Sequence, residues 1–321
     1  MVPPAPSARS RPSGVLVVDK PRGPTSHDVV AHVRRALGTR EVGHAGTLDP
    51  MATGVLVIAV GEATKLVPWL TAAEKAYEAT VALGVETDSL DAEGRETARI
   101  PVAGDVLDAL AESSGATVAP LLRAVLAAER ERSEQVPPVF SAIQQGGERA
   151  HTRARRGEHV ELAARPVRVH RLELVACSDR PPWIAVRVEA DKGYYVRSLG
   201  RDLAAALGTA GHLTSLRRTR SGCFAIDEAL PLDTPPDELA ARLEALPRVA
   251  ARALPVARLT ETGARDARFG RPVRPEDLDA PGTGPCAWLD PTGELVAIGE
   301  VVDGRGRVVR GFTPSPGEGP D

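Results

Sequence analysis

The 321-residue chain has no asparagine at all, only four lysines, three tyrosines and three cysteines, and aromatic residues make up 3% of it. Each scarcity excludes something. Cys177, Cys223 and Cys286 are odd in number, far apart and outside any paired spacing, which argues against a disulfide framework or a zinc site and for reduced thiols in the cytoplasm. The histidines lack a ligand spacing too. His151 and His159 flank an arginine-rich stretch where contact with a polyanion, or plain solvation, accounts for them better than a metal. No apolar run reaches the roughly 18–20 residues that a membrane helix needs. The opening MVPPAPSARSRPS has no apolar h-region, so residues 1–13 read as a disordered tail and not as a signal peptide. There is no P-loop, dinucleotide fingerprint or internal repeat, so nothing points to a nucleotide cofactor.

What is present is arginine, 36 residues of it, in a chain of net charge −3. Its distribution matters more than its total. Residues 137–225 hold 15 Lys plus Arg against 8 Asp plus Glu, whereas residues 226–321 hold 11 against 17. A basic middle can follow a phosphate backbone without a basic pI, although arginines alternating on solvated strand faces would give the same count.

The densest segment is GHAGTLDPMATGVLVIAV, residues 43–60. Pro50 keeps Asp49 out of the helical region and stiffens the loop, Gly43, Gly46 and Gly54 admit close approach, and VLVIAV follows as a buried strand. A rigid loop ahead of a core strand can hold one reactive carboxylate at a fixed point. Taken alone, Asp49 before Pro50 is better described as a turn cap ahead of a strand. The run resembles the signature GHxGTLDPxAxGVL of the TruB family of tRNA pseudouridine synthases. Further blocks in family order extend the resemblance over most of residues 14–225: GVLVVDKPRGPTSHDVV, KAYEATVALGVETDSLDAEG, DKGYYVRSLGRDL and HLTSLRRTRSG. Between the second and third lies VPPVFSAIQQGGERAHTRARRGEHVELAARPVRVHRLEL, similar to the family's RNA-gripping insertion. Lys20, Lys75, Lys192 and all three tyrosines fall inside these blocks.

Pattern alone predicts strands over 15–18, 55–60, 77–83, 167–174 and 184–189. It predicts helices starting at the capping-box-like Thr25-Ser-His-Asp28 and ending at Gly38, near 63–70, and over 197–207. Their irregular alternation favours an α+β fold around a mixed, mostly antiparallel sheet flanked by helices. The resemblance implies the pseudouridine synthase fold. The expected organisation is a catalytic domain over 14–247, with the RNA-gripping insertion at about 137–166, followed by 248–321. The strand-like CAWLD, GELVAIGEVV and RVVRGF of that last part suit a compact β-barrel, which the resemblance likens to a PUA RNA-binding domain.

The resemblance further implies isomerisation of uridine to pseudouridine at position 55, in the T arm of tRNA, without cofactor, metal or obligate protein partner. Asp49 becomes the catalytic aspartate, acting as nucleophile or as base toward a ribose proton. Arg197 is placed against it, where a guanidinium can keep a carboxylate ionised through two hydrogen bonds. Tyr77 resembles the tyrosine that packs on the flipped base and can assist loss of the C5 proton. Tyr195 resembles the second pocket tyrosine, its hydroxyl directed to the Asp49–Arg197 pair or to the base, and Leu216 an apolar pocket position. His44 is expected to contact RNA or wedge into the space left by the base, a packed loop histidine being the alternative. Lys20 is expected to contact phosphate or support the catalytic loop, and Arg217 and Arg218 to meet the RNA backbone. Arg149, Arg153, Arg155 and Arg156 belong to the insertion that closes over the RNA. QQGGERAHTRARRG departs here from a more Lys- and Tyr-rich family version, and LAAERERSEQVPP lacks a Phe-x-Gly element often found before Gln-x-Pro-Pro. Two rivals stand beside this reading: a non-catalytic tRNA-binding folding chaperone, and another carboxylate-driven reaction at a glycosidic bond, for which a second facing acid would be expected.

Overall fold

The computed structural model describes residues 12–114, 117–141, 143–145, 148–149, 153, 156, 158, 160–279 and 284–313. The expected tail falls outside these except for residues 12 and 13, as do His151, His159 and Arg155. One mixed sheet carries the site. Its strands run in the order Val169–Asp179, Pro182–Ala190, Lys75–Leu83, Gly211–Ser221, Thr53–Val60, Gly14–Lys20 and Leu230–Pro231, with Val42–His44 and Phe224–Ala225 paired alongside. Within it, Gly14–Lys20 runs parallel to Leu230–Pro231 and Gly211–Ser221 parallel to Thr53–Val60, the other pairings being antiparallel. The mixed, mostly antiparallel sheet expected from the sequence is therefore found.

Local chemistry explains the elements. VLVIAV is buried on both faces because Thr53–Val60 lies between two strands with packing above and below. Helix Ser26–Ala36 starts at a capping box, Thr25 accepting from the Asp28 amide and Asp28 accepting from the Thr25 amide, and its buried stripe is Val29, Val30 and Val33. The helix predicted near 63–70 is instead a 3-10 turn, Gly61–Leu66, running into Val67–Ala72, where Pro68 fits the first helical turn. Helices Gly104–Glu112 and Pro120–Arg130 and strand Gly211–Ser221 were not foreseen.

The two faces of the sheet have different cover. Leu16, Val18, Leu56, Ile58, Tyr77 and Val188 pack under helices Ser26–Ala36, Gly104–Glu112, Pro120–Arg130 and Val196–Ala206. On the other face Val15, Val17, Val55 and Val57 share a core with Leu246, Val249 and Ala250 of helix Leu246–Ala253 and with Leu289, Leu295 and Ile298 of the C-terminal sheet. The boundary expected between 247 and 248 thus falls inside a helix that joins both parts. The C-terminal sheet, Val256–Arg258, Cys286–Leu289, Leu295–Val302 and Arg305–Gly311, corrects a second expectation. Among the described residues it is open, since its short first strand and its last strand do not pair, and no closed barrel forms.

A single row of register partners crosses the large sheet beneath the future site. Lys20 faces Gly54, Gly54 faces Arg218, Arg218 faces Tyr77 and Tyr77 faces Val188. Opposed residues share a face, so two cations flank a glycine on the helix-covered side. Gly54 has φ +100°, and a Cβ there would lie 2.2 Å from the Arg218 carbonyl oxygen, so the position must stay bare.

In the C-terminal sheet Trp288 is fully buried, and a Cβ on Gly299 would lie 2.2 Å from its ring. Gly299→Ala is predicted to destabilise by about 1–3 kcal/mol, the usual cost of overpacking. Urea unfolding followed by tryptophan fluorescence checks this; an unchanged midpoint would mean that Trp288 packs more loosely than described.

Candidate active site

The loop at 43–50 is held by its backbone, from below and from the side. Ser26 Oγ accepts from the Leu48 amide at 2.9 Å and donates to its carbonyl at 3.1 Å. Lys20 Nζ donates to the carbonyls of Pro21, Pro24 and Pro50 at 2.9, 2.8 and 3.3 Å, using all three ammonium donors. Arg218 donates through Nε to Val55, through Nη1 to Thr47 and through Nη2 to Gly46, at 2.7, 3.3 and 3.0 Å. Lys20 is 0% and Arg218 1% exposed. Arg218 therefore does not meet an RNA backbone as expected; burial under the loop turns it into a brace. Of the two roles expected for Lys20, loop support is the one its position allows. Burial pulls the Lys20 pKa down, opposed by the nearby Asp49 and Glu93 carboxylates.

Asp49 emerges from this clamp with its side chain 35% exposed, Oδ2 lying 2.9 Å from Nε of the buried Arg197. The two-bond fork expected from sequence is not what forms. Arg197 Nη1 donates to the Ser89 carbonyl at 2.9 Å and Nη2 to the Phe140 carbonyl at 2.8 Å, and Asp91 Oδ2 lies 3.9 Å from Nη1. Asp91 is itself buried and accepts from Ser89 Oγ and the Glu93 amide. Ser26, Ser89, Asp91 and Phe140 were not singled out from the sequence. The TDSLDAEG run, with an acid flanked by turn formers, was the available signal for Asp91.

The remaining candidates distribute as follows. Tyr77 and Leu216 lie on the loop-facing side of the sheet, 9% and 7% exposed, in adjacent strands in which Leu216 faces Ala79. Tyr195 precedes helix Val196–Ala206, and burial raises its phenol pKa. Tyr194 belongs to the core, its hydroxyl donating to the buried Glu129 at 3.1 Å. The His44 ring meets His27 edge-on at 5.4 Å, its Nδ1 buried with no hydrogen-bond partner among the described residues; burial, then His27 and Arg218, lower its pKa. Arg217 pairs with Asp19 at 2.7 Å on the opposite face of the sheet. In the insertion Arg153 pairs with Glu158, and Arg156 with Glu148 and Glu158; Arg149 lies in a two-residue strand. Glu74, His170 and Asp191 meet at the sheet edge, His170 Nε2 lying 2.8 Å from Asp191 and 3.5 Å from Glu74, a grouping that the sequence spacing did not reveal.

Residues 34–196 match the model of the TruB family pseudouridylate synthase N-terminal domain, and residues 197–246 match that of the tRNA pseudouridylate synthase B C-terminal domain. The chain belongs to the TruB family. A protein of Thermobifida fusca named tRNA pseudouridine synthase B is 45% identical over 310 residues, 94% of this chain and 99% of that protein. A Nocardia farcinica protein of the same name is 47% identical over 292 residues, 90% and 86% of the two chains. Among solved structures, a chain in the crystal structure of a Cbf5-Nop10-Gar1 complex superposes with a TM-score of 0.69 at 25% identity, over 94% of this chain and 84% of that one. Members of the TruB family are pseudouridylate synthases, and this chain is an enzyme of that class. No helix among the described residues is long and apolar enough to cross a membrane.

Beside the clamp, Lys75 donates to the Thr71 and Ala73 carbonyls, and burial with Arg218 and Lys192 nearby lowers its pKa to about 8. Between about 8 and the ordinary value of 10.5 the folded state releases this proton while the unfolded chain keeps it, so stability rises with pH in that window. The stability of the parent relative to Lys75→Met is predicted to increase by about 2–3 kcal/mol from pH 8 to pH 10.5. Denaturant unfolding of both proteins across that range tests this, and a constant difference would contradict it.

Proposed function

We propose that this enzyme isomerises uridine to pseudouridine in tRNA, at position 55 of the T arm, with Asp49 as the reacting carboxylate and no cofactor. The observation that carries the reading is a single aspartate whose flanking backbone, at Gly46, Thr47 and Pro50, is gripped by buried cations and whose carboxylate is held 2.9 Å from Arg197. Family membership and relatives named tRNA pseudouridine synthase B support the substrate class.

The reaction breaks the bond from N1 to C1′, turns the uracil and joins C5 to C1′, after which the C5 proton moves to solvent and N1 gains one. A carboxylate serves this either by adding to C1′ or by removing a ribose proton, and in both routes it must be ionised at the start. Arg197 supplies the positive neighbour that favours that state. The target base must leave its stack, at a cost of a few kcal/mol, and an aromatic face returns about 1–3 kcal/mol of it. Tyr77 is assigned that stacking role, Leu216 the apolar wall and Tyr195 the far side of the pocket. His44, neutral near pH 7 because burial lowers its pKa, fills the vacated space. The insertion arginines reach the RNA by exchange. Arg156 is about half exposed in its pairs with Glu148 and Glu158, and solvent-exposed pairs of this kind are weak, so a phosphate can replace a carboxylate. The site of action is the cytoplasm, where the substrate is found.

Incubation with an unmodified tRNA transcript, followed by a pseudouridine-specific adduct and primer extension, tests the proposal. One stop in the T loop is expected, with Asp49→Asn reducing the rate at least about 100-fold while tRNA binding persists. A tRNA bound but left unmodified by the parent protein would favour the folding chaperone, and free uracil would favour hydrolysis.

A further inference from the structure

The insertion expected at about 137–166 to grip RNA is rooted in the active site itself. Its two ends are zipped together: Arg165 faces Gln135 and Pro166 faces Glu134 in a short antiparallel ladder, and the Val167 amide donates to the Ser133 carbonyl at 2.9 Å. Gln135 is 2% exposed. Its side chain mimics a strand partner for one residue: the Tyr195 amide donates to Gln135 Oε1 at 2.9 Å, and Gln135 Nε2 donates to the Tyr195 carbonyl at 3.2 Å. The following residues continue the grip on the same helix start. The Val136 carbonyl accepts from Ser198 Oγ at 2.8 Å and from Arg201 Nη2 at 3.0 Å, and the Phe140 carbonyl accepts from Arg197 Nη2 at 2.8 Å.

We propose that Gln135 is a positioning residue, which fixes the backbone of Tyr195 and thereby the angle at which Arg197 meets Asp49. Helix Val196–Ala206 begins one residue after Tyr195, and the Tyr195 carbonyl also accepts from Leu199, so it is the first turn of this helix that Gln135 holds. Arg197 sits in that turn. Its guanidinium is oriented by carbonyls from two separate segments, Ser89 and Phe140, and the second of these stays in place only while the strip at 135–140 stays bound. The same strip leads directly into the arginine-bearing insertion, so the segment that grips RNA and the segment that orients Arg197 are continuous chain.

This inference rests on the reading of Asp49 as the reacting group, which Asp49→Asn tests separately. The experiment is a double-mutant cycle of Gln135→Met, which keeps volume and removes both hydrogen bonds, with Arg197→Lys, measuring single-turnover pseudouridine formation and tRNA affinity. Gln135→Met alone is expected to slow the reaction at least about tenfold with tRNA Kd changed less than about twofold, whereas in the Arg197→Lys background the same substitution should cost less than about threefold. Additive losses, or a Kd that rises in step with the rate loss, would overturn the proposal. Should Gln135→Met fail to fold, Ser198→Ala removes one bond of the same strip and enters the cycle in its place, with the same split and non-additivity expected on a smaller scale. Activity surviving in Asp49→Asn would sink the reading of the site; additivity would sink only the role of Gln135.

Discussion

Lys20 and Arg218 are almost wholly removed from water, and among the described residues neither forms an ion pair. A buried charge with no carboxylate in direct contact is expensive unless its donors find other acceptors. Here the acceptors are backbone carbonyls, and four of the six belong to the segment around Asp49: Gly46, Thr47, Pro50 and Val55. The dependence runs both ways. The cations stay buried because the loop offers its carbonyls, and the loop keeps its shape because straightening it would strand two charges. Gly54 completes the arrangement, since any side chain between the two cations would collide with the Arg218 backbone.

The chemistry follows from where this leaves Asp49. Its carboxylate is not required for the loop's own architecture, so it is held in position yet remains available to react. Arg197 is oriented independently, by Ser89 and Phe140 carbonyls, and meets Asp49 through one edge of its guanidinium. Two rigid supports, one beneath the loop and one at the start of helix Val196–Ala206, therefore converge on a single ion pair. In the proposed reaction, preorganisation of this kind brings the carboxylate to the nucleotide without the enzyme reordering its own groups.

Much of this was legible in the residues. The Asp-Pro turn between glycines and the buried strand behind it located the loop that carries Asp49, and the capping box at Thr25 located the helix whose first residue, Ser26, ties Leu48 down. The pairing of Asp49 with Arg197 was implied by family resemblance and is present in the geometry, though without the bidentate fork. Other features were hidden for identifiable reasons. Strand Gly211–Ser221 carries two register shifts, which break the alternation by which strands are recognised, and it places an arginine at an inward position. Arg218 read as a surface cation, and loop support stood as only one of two readings of Lys20, because only the folded chain supplies their carbonyls. Helices Gly104–Glu112 and Pro120–Arg130 lack side-chain caps, and the start signal that Pro120 offers at the first helical position of the second was passed over. The strands of the C-terminal sheet were visible, but nothing in their pattern indicates whether a sheet closes.

Arg218 acts from beneath the loop and not on RNA, and the two roles separate in one measurement. Arg218→Met should slow single-turnover pseudouridine formation at least about tenfold, while tRNA affinity and its dependence on salt stay as in the parent protein. A phosphate contact would instead weaken binding and flatten the salt dependence by about one unit of slope. An unchanged rate, or a loss confined to tRNA affinity, would contradict the claim that buried cations set the position of Asp49.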